Sequence, residues 1–226
     1  MRIHFLTAAV PAILFLGACS SPETQVAQRA SALPDGQRAY AIGTYAVDCR
    51  PAGDDCIQAF NSISTHYKSV DGGGVEARLR FVTGSFMGDN TKPDYTRLDR
   101  GDKGMHFCLA LPPGKYSIYG YDFINFAGGG TGYRFPKQQY FDLPFTLAPG
   151  EVVYLGTIKL TTGTGKNILG MTLNAPGVMM LSSAHREGIG AALEKCPENV
   201  RKRPVREAAL RVADAHTPFV VADPRP

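Results

Sequence analysis

The chain has 226 residues, 44% of them hydrophobic and 19% charged, and this apolar content excludes an intrinsically disordered protein. The 25 Gly and 16 Pro residues favour short strands joined by many turns over a helical bundle, because Gly and Pro interrupt helices. The formal net charge is +4, and nothing in the composition indicates a reaction. We therefore expect one mainly β domain with small additions.

The first 18 residues have the pattern of a secretory signal peptide. Arg2 gives a positive start, and an apolar run that ends in small residues follows it. The run is shorter than the ~20 apolar residues of a membrane span, and Pro11 interrupts it. We assign residues 1–18 to a leader and predict that the chain is exported.

The end of this leader, Leu16-Gly17-Ala18-Cys19, resembles the lipobox of bacterial lipoproteins. The resemblance implies cleavage before Cys19 and acyl chains on Cys19, and more than one chain anchors a protein stably to a membrane. Because Ser20 rather than Asp follows Cys19, the resemblance also implies that the protein is sorted to the outer membrane. It does not indicate whether the protein lies on the periplasmic face or on the cell surface. An ordinary signal peptide with a chance cysteine is the alternative. Apart from this covalent lipid, we expect no cofactor.

Residues 19–37 are expected to form a lipidated tether. They are mostly polar, contain two Pro, and show no clear strand pattern.

The remaining cysteines, Cys49, Cys56, Cys108 and Cys196, are even in number, so an exported chain should pair them in disulfides. Three connectivities are possible. We favour Cys49 with Cys56, because the six residues between them are rich in turn formers, and Cys108 with Cys196 then follows.

Seven segments between residues 38 and 175 have strand patterns, and they predict an antiparallel two-sheet sandwich. Pro112-Pro113-Gly114 and Pro149-Gly150 suit tight turns and are expected to close hairpins. The seven segments are residues 38–47, 75–81, 105–111, 115–123, 140–147, 151–160 and 168–173.

Two segments carry a resemblance to known sandwiches. Leu111-Pro-Pro-Gly-Lys-Tyr-Ser-Ile118 resembles a hairpin of prealbumin-like or carboxypeptidase-regulatory-like domains, and Phe145 to Gly156 is similar to a segment of uncharacterised Gram-negative lipoproteins. The resemblance implies a sandwich fold and a place in the cell envelope, and it implies no catalytic residue.

Residues 176–226 are expected to form a helical C-terminal extension that packs on the sandwich. Ser183 can cap a helix over about residues 184–195, and Pro204 fits the first turn of a second helix that ends near Ala213.

Residues 195–211 hold six basic and two acidic residues. We expect a solvated face there, with anionic lipid or an acidic partner as the alternative. Export removes access to nucleic acid.

Neither an enzyme nor a metal site is expected, because the mature chain has no motif of a serine hydrolase or a zinc protease. An enzyme would need its histidines beside carboxylates or thiols in a pocket. The four that follow the leader are scattered singly: His66, His106, His185 and His216.

The predicted strand over residues 115–123 is rich in aromatic side chains. Regular alternation puts Tyr116 and Ile118 on one face and Tyr119, Tyr121 and Phe123 on the other, so both faces are apolar or aromatic and one of them needs a cover. The C-terminal helices are the favoured cover. An external glycan or lipid is the alternative, and burial of the second face would exclude it. The leading hypothesis is a non-catalytic envelope lipoprotein that binds a protein partner.

Overall fold

The computed structural model describes residues 21–83, 90–125, 131–161, 163–175, 177–183 and 186–224. Residues 1–20 lie outside this range, so the leader, the lipobox and Cys19 stay predictions.

The mainly β fold with short helical parts is confirmed. Its helices are α1 (Pro22–Ser31), α2 (Arg186–Glu194), α3 (Glu198–Arg201) and α4 (Val212–Ala215), with one 3-10 turn at Lys137–Gln139. Its strands are β1 (Ala39–Asp48), β2 (Arg50–Ala52), β3 (Asp55–Ile57), β4 (Ser62–Ser69), β5 (Glu76–Val82), β6 (Tyr95–Arg97), β7 (Asp102–Leu111), β8 (Gly114–Asn125), β9 (Thr131–Arg134), β10 (Leu143–Leu147), β11 (Val152–Leu160), β12 (Gly163–Lys166), β13 (Thr172–Ala175), β14 (Met179–Ser182), β15 (Val205–Glu207) and β16 (Val220–Ala222).

Two sheets form the sandwich. Sheet I has the order β16-β14-β11-β1-β7-β6, with β15 beside β11, and sheet II has the order β10-β8-β4-β5, with β9 beside β8. Sheet II is antiparallel throughout. Sheet I is mixed rather than antiparallel, because β1 and β11 run in the same direction. The inward rows of both sheets make one core of Tyr, Phe, Ile, Leu and Val side chains.

Both Pro-Gly turns connect the two sheets, so the expectation that they close hairpins is wrong. The first joins β7 in sheet I to β8 in sheet II, and the second joins β10 in sheet II to β11 in sheet I. The second turn has the expected backbone, because Gly150 has φ +72° and Glu151 N donates to Ala148 O at 3.2 Å. A turn fixes where the chain reverses, but the pairing of each strand depends on the rest of the sheet.

A β-bulge in β8 changes the predicted faces of the aromatic strand. His66 of β4 pairs with Gly120 and Tyr67 pairs with Ile118, so Tyr119 is an extra residue on β8. Alternation restarts after the bulge, and all four of Tyr116, Ile118, Tyr121 and Phe123 therefore face the core. The prediction of two opposed aromatic faces is wrong for this reason.

Several expected elements are shifted or absent. Six of the seven predicted strands correspond to β1, β5, β7, β8, β10 and β11. The seventh is wrong, because residues 168–171 form the tip of the hairpin between β12 and β13. Strand β4, at the centre of sheet II, was not predicted.

The C-terminal part forms strands as well as helices. Helix α2 agrees with the first predicted helix, but the second is wrong because β15 starts at Val205 and pairs with β11. Strands β14 and β16 also join sheet I. Pairing with exposed strand backbone outweighs the local helix pattern here.

Part of the predicted tether is a docked helix. Pro22 begins α1, and Val26 and Ala30 are buried. Arg29 donates to the carbonyls of Gly73 and Gly74 at 2.8 and 2.9 Å. The polar face of α1 suggested a tether, whereas its two buried side chains fix it to the sandwich. No helix among the described residues has the length and apolar character needed to cross a bilayer.

Both disulfides have the favoured connectivity, Cys49–Cys56 and Cys108–Cys196. The second joins β7 to the residue that follows the last turn of α2. Helix α2 thereby covers the outer face of sheet I, where Ala192 packs on an apolar cluster that includes Tyr40, Ile42 and Tyr154.

Candidate functional site

The outer face of sheet II carries an open groove of about 810 Å³. Strands β4, β8 and β10 form its floor, and the segments around Tyr140 and α4 form its walls. Its lining residues are Lys68, Val70, Ser117, Tyr119, Tyr140, Phe141, Asp142, Pro144, Asp214, Ala215 and His216. Two large apolar side chains in it are well exposed, Val70 at 53% and Tyr140 at 41%.

The bulge in β8 places Tyr119 at the inner end of this groove. Its ring lies 4.9 Å from that of Tyr140, and Lys68 Nζ lies 4.9 Å from its centroid. Its hydroxyl donates to Glu76 Oε1 at 2.6 Å. Burial, and secondarily this hydrogen bond, raises the pKa of Tyr119, so the hydroxyl keeps its proton and continues to donate to Glu76. Gly120 leaves room for Tyr140, whose Cε1 would lie 3.4 Å from an added Cβ.

The groove has charges of both signs. Ser117 Oγ donates a short hydrogen bond to Asp142 Oδ1. Asp214 accepts from Arg211 at 3.0 Å through each carboxylate oxygen. His216 ends α4 in the left-handed conformation, with φ 47°. Polar groups around two exposed apolar side chains are typical of a protein interface, in which a polar rim surrounds an apolar centre.

A smaller recess of about 400 Å³ lies beside the groove, on the side of α1. His66 lines it and pairs through Nε2 with Asp122 Oδ2 at 2.9 Å. Glu23 of α1 pairs with Arg78 at 3.1 Å. Burial raises the pKa of Glu23, but hydrogen bonds from its own backbone and from Arg78 outweigh that effect and lower it.

His66 and His106 lie near carboxylates, and His216 lines the groove together with Asp142 and Asp214. The histidines are therefore not separated from acidic groups, and a separation would have counted against an enzyme. Besides Asp122, His66 contacts the ring of Tyr119, with 5.8 Å between centroids. His106 lies on sheet I, where its Nδ1 is 3.0 Å from Thr44 Oγ1 and its backbone N–H donates to Asp94. Among the described residues, neither histidine shares a recess with the other. His185 is outside the described range.

The predicted ligand face of Tyr119, Tyr121 and Phe123 is closed. Their exposed fractions are 5%, 1% and 0%. The rings of Phe135 and Phe141 cover Tyr121, whose hydroxyl donates to Gly177 O at 2.6 Å. The cover is thus other aromatic residues of the domain rather than the C-terminal helices. An external ligand on this face is excluded by the burial, and only Tyr119 reaches the groove.

The basic segment 195–211 is largely paired within the chain. Lys195 pairs with Asp94 at 2.6 Å, and Arg206 makes a close pair with Glu151. Arg203 donates to the carbonyls of Gly150 and Asp35. These contacts hold the C-terminal segment on the sandwich. Arg203 contacts carbonyl oxygens rather than a carboxylate, so its positive charge is not neutralised by them. Within the described part of the chain, no three His, Cys, Asp or Glu residues are grouped as metal ligands.

No protein-family model, curated protein or solved structure matches the chain. The resemblances to lipoproteins and to prealbumin-like sandwiches therefore stay predictions.

Sequence reasoning missed most of the groove. Tyr140 was placed in a strand and Lys68 in no element. The alternation of Ile63, Thr65 and Tyr67 in β4 was the available signal, and it would have put Lys68 on an outer face.

Proposed function

We propose that the chain is a lipoprotein of the cell envelope, anchored to the outer membrane by lipid on Cys19, that binds a protein partner and catalyses no reaction. Two disulfides support an exported chain, because disulfides persist in oxidising compartments. The signal-like leader and the lipobox resemblance support the anchor.

The open groove on sheet II carries the proposal of a protein partner. A groove of about 810 Å³ with Val70 and Tyr140 exposed presents apolar anchors beside polar groups. Protein interfaces have such an arrangement, with aromatic side chains enriched near the centre and polar groups around them. A site for a small ligand would enclose most of the ligand surface, whereas this groove is open to solvent.

The test is chemical crosslinking in intact cells, followed by affinity isolation from detergent-solubilised envelopes. We compare the native chain with Cys19→Ala, with the groove variant Val70→Ser/Tyr140→Ala, and with Leu98→Ala. Leu98 is a matched control, because it is 39% exposed and lies beside sheet I.

The native chain and Leu98→Ala should recover the same partner. The groove variant should stay membrane-bound and lose that partner, and Cys19→Ala should leave the membrane fraction. Equal recovery with the groove variant would reject the groove as the binding site. Absence of any partner with the native chain would reject the interaction module itself.

A further inference from the structure

The hairpin of β12 and β13 presents an apolar tip to solvent. Ile168 is 101% exposed, Leu169 is 76% and Met171 is 56%. Three large apolar side chains exposed at one turn indicate a contact with a membrane or with another protein.

The backbone of this tip is hydrogen-bonded within itself. Asn167 N donates to Met171 O at 3.0 Å, and Gly170 N donates to Asn167 O at 2.9 Å. The side-chain Oδ1 of Asn167 accepts from the N–H groups of Leu169 and Met171, both at 2.9 Å. These bonds lower the cost of moving the turn out of water into the interfacial region, because fewer backbone N–H groups are left without a partner.

The charge around the tip favours an anionic surface. The sequence has no Asp or Glu between Glu151 and Glu187. Lys166 is exposed at the end of β12, next to the tip. A lysine at this position can keep its ammonium among lipid phosphates while the apolar side chains go deeper.

The base of the hairpin is fixed to the core. Thr161 N donates to Val178 O at 3.0 Å, and Val178 N donates to Thr161 Oγ1 at 3.0 Å. Beside this clamp, the hydroxyl of Tyr121 donates to Gly177 O at 2.6 Å. A contact made by the tip therefore orients the folded domain.

We infer that the tip, residues 167–171, inserts into the interfacial region of a lipid bilayer. A protein partner fits the tip less well, because a stable interface buries about 800 Å² on each side and three side chains at one turn supply far less. Lipid needs no complementary shape. The inference rests on the proposed function only because the lipid on Cys19 would bring the tip to the bilayer. The inserted tip then holds the domain in one orientation.

The absence of tryptophan from the chain allows a direct test. Leu169→Trp puts a single indole at the tip, and Val70→Trp is the matched control. Val70 is 53% exposed and lies near Lys115, at the other end of β8 from the hairpin base. Each full-length protein is reconstituted into phosphatidylethanolamine vesicles with phosphatidylglycerol, with and without brominated acyl chains.

The emission of Leu169→Trp should move to shorter wavelength and be quenched by the brominated lipid, whereas Val70→Trp should change little. Adding Ile168→Ser to Leu169→Trp should reduce the quenching, and Lys166→Gln should reduce it only when phosphatidylglycerol is present. An indole at residue 169 that keeps its water-exposed emission in vesicles would overturn the inference, as would a shift that occurs only when another envelope protein is added.

Vesicle flotation separates this inference from the proposed anchor. If Cys19→Ala that also carries Ile168→Ser and Leu169→Ser floats as well as the native chain, the lipid anchor is wrong, while quenching at residue 169 in Leu169→Trp still tests the tip. If only the native chain floats and residue 169 is not quenched, the anchor stands and the tip inference fails.

Discussion

The two outer faces of the sandwich differ in how they are covered. The outer face of sheet I carries an apolar cluster that α2 buries, and Cys108–Cys196 holds this helix in place. The outer face of sheet II carries the groove with Tyr119, Tyr140 and Lys68. The covered face contributes to stability, and the open face is available for binding. Substitutions on the two faces should therefore have separable effects.

The largest effect is expected from the disulfide that holds the cover of sheet I. The pair Cys108 and Cys196 is separated by 88 residues, and closing a loop of this size stabilises by about 4 to 5 kcal/mol in the chain-entropy model. Cys108→Ala/Cys196→Ala should lower the free energy of unfolding by about this amount in denaturant titrations. The control is Cys49→Ala/Cys56→Ala, whose separation of 7 residues predicts a loss of only about 2.5 kcal/mol. Equal losses would contradict the model.

A buried ion pair between β11 of sheet I and the residue after β16 should give the next largest effect. Lys159 Nζ lies 2.6 Å from Asp223 Oδ2, and the two side chains are 3% and 6% exposed. Asp223→Ala leaves a buried ammonium without this partner, which should cost about 3 to 5 kcal/mol. Asp214→Ala removes a pair whose arginine is 76% exposed and should cost less than about 1 kcal/mol. A small loss for both variants would show that Lys159 reaches water.

Two glycines of α2 test how closely the helix approaches sheet I. A Cβ on Gly188 would lie 2.8 Å from the hydroxyl of Tyr154, whereas a Cβ on Gly190 would meet nothing within 4 Å. Gly188→Ala should destabilise by about 1 to 3 kcal/mol through overpacking. Gly190→Ala should stabilise by about 0.5 to 1 kcal/mol, because alanine favours the helix. Thermal unfolding of both variants checks this, and a shift in the same direction would contradict the described packing.

The smallest effect concerns pH. Burial lowers the pKa of His106 from its ordinary value, although Asp94 opposes the shift. The unfolded chain then binds the proton more readily, so the stability from neutral His106 is complete above about pH 6.5 and falls as the pH drops below it. Between about pH 7.5 and about pH 5.5, the melting temperature of His106→Asn should fall by less than that of the native chain. An unchanged pH dependence would show that His106 does not contribute.

The sequence predicted features that depend on local pattern and missed those that depend on pairing. Cys49 and Cys56 flank a turn-rich segment, so their disulfide followed from residues close in the chain. The bulge at Tyr119 has no mark in the sequence, because an inserted residue on a strand shows only in the register with β4. The roles of the Pro-Gly turns and of β15 were missed for the same reason, since both depend on which strand each segment joins.

The most direct test of the open face is site-specific photocrosslinking in intact cells. A photoreactive phenylalanine analogue is placed at Tyr140 in the groove, at Ile189 on the covering helix, and at Leu98 as an exposed control. The proposed binding function of the groove predicts one adduct of defined mass from position 140 and none from the other two. No adduct at position 140, or the same adduct at all three positions, would contradict the assignment of the groove as the binding face.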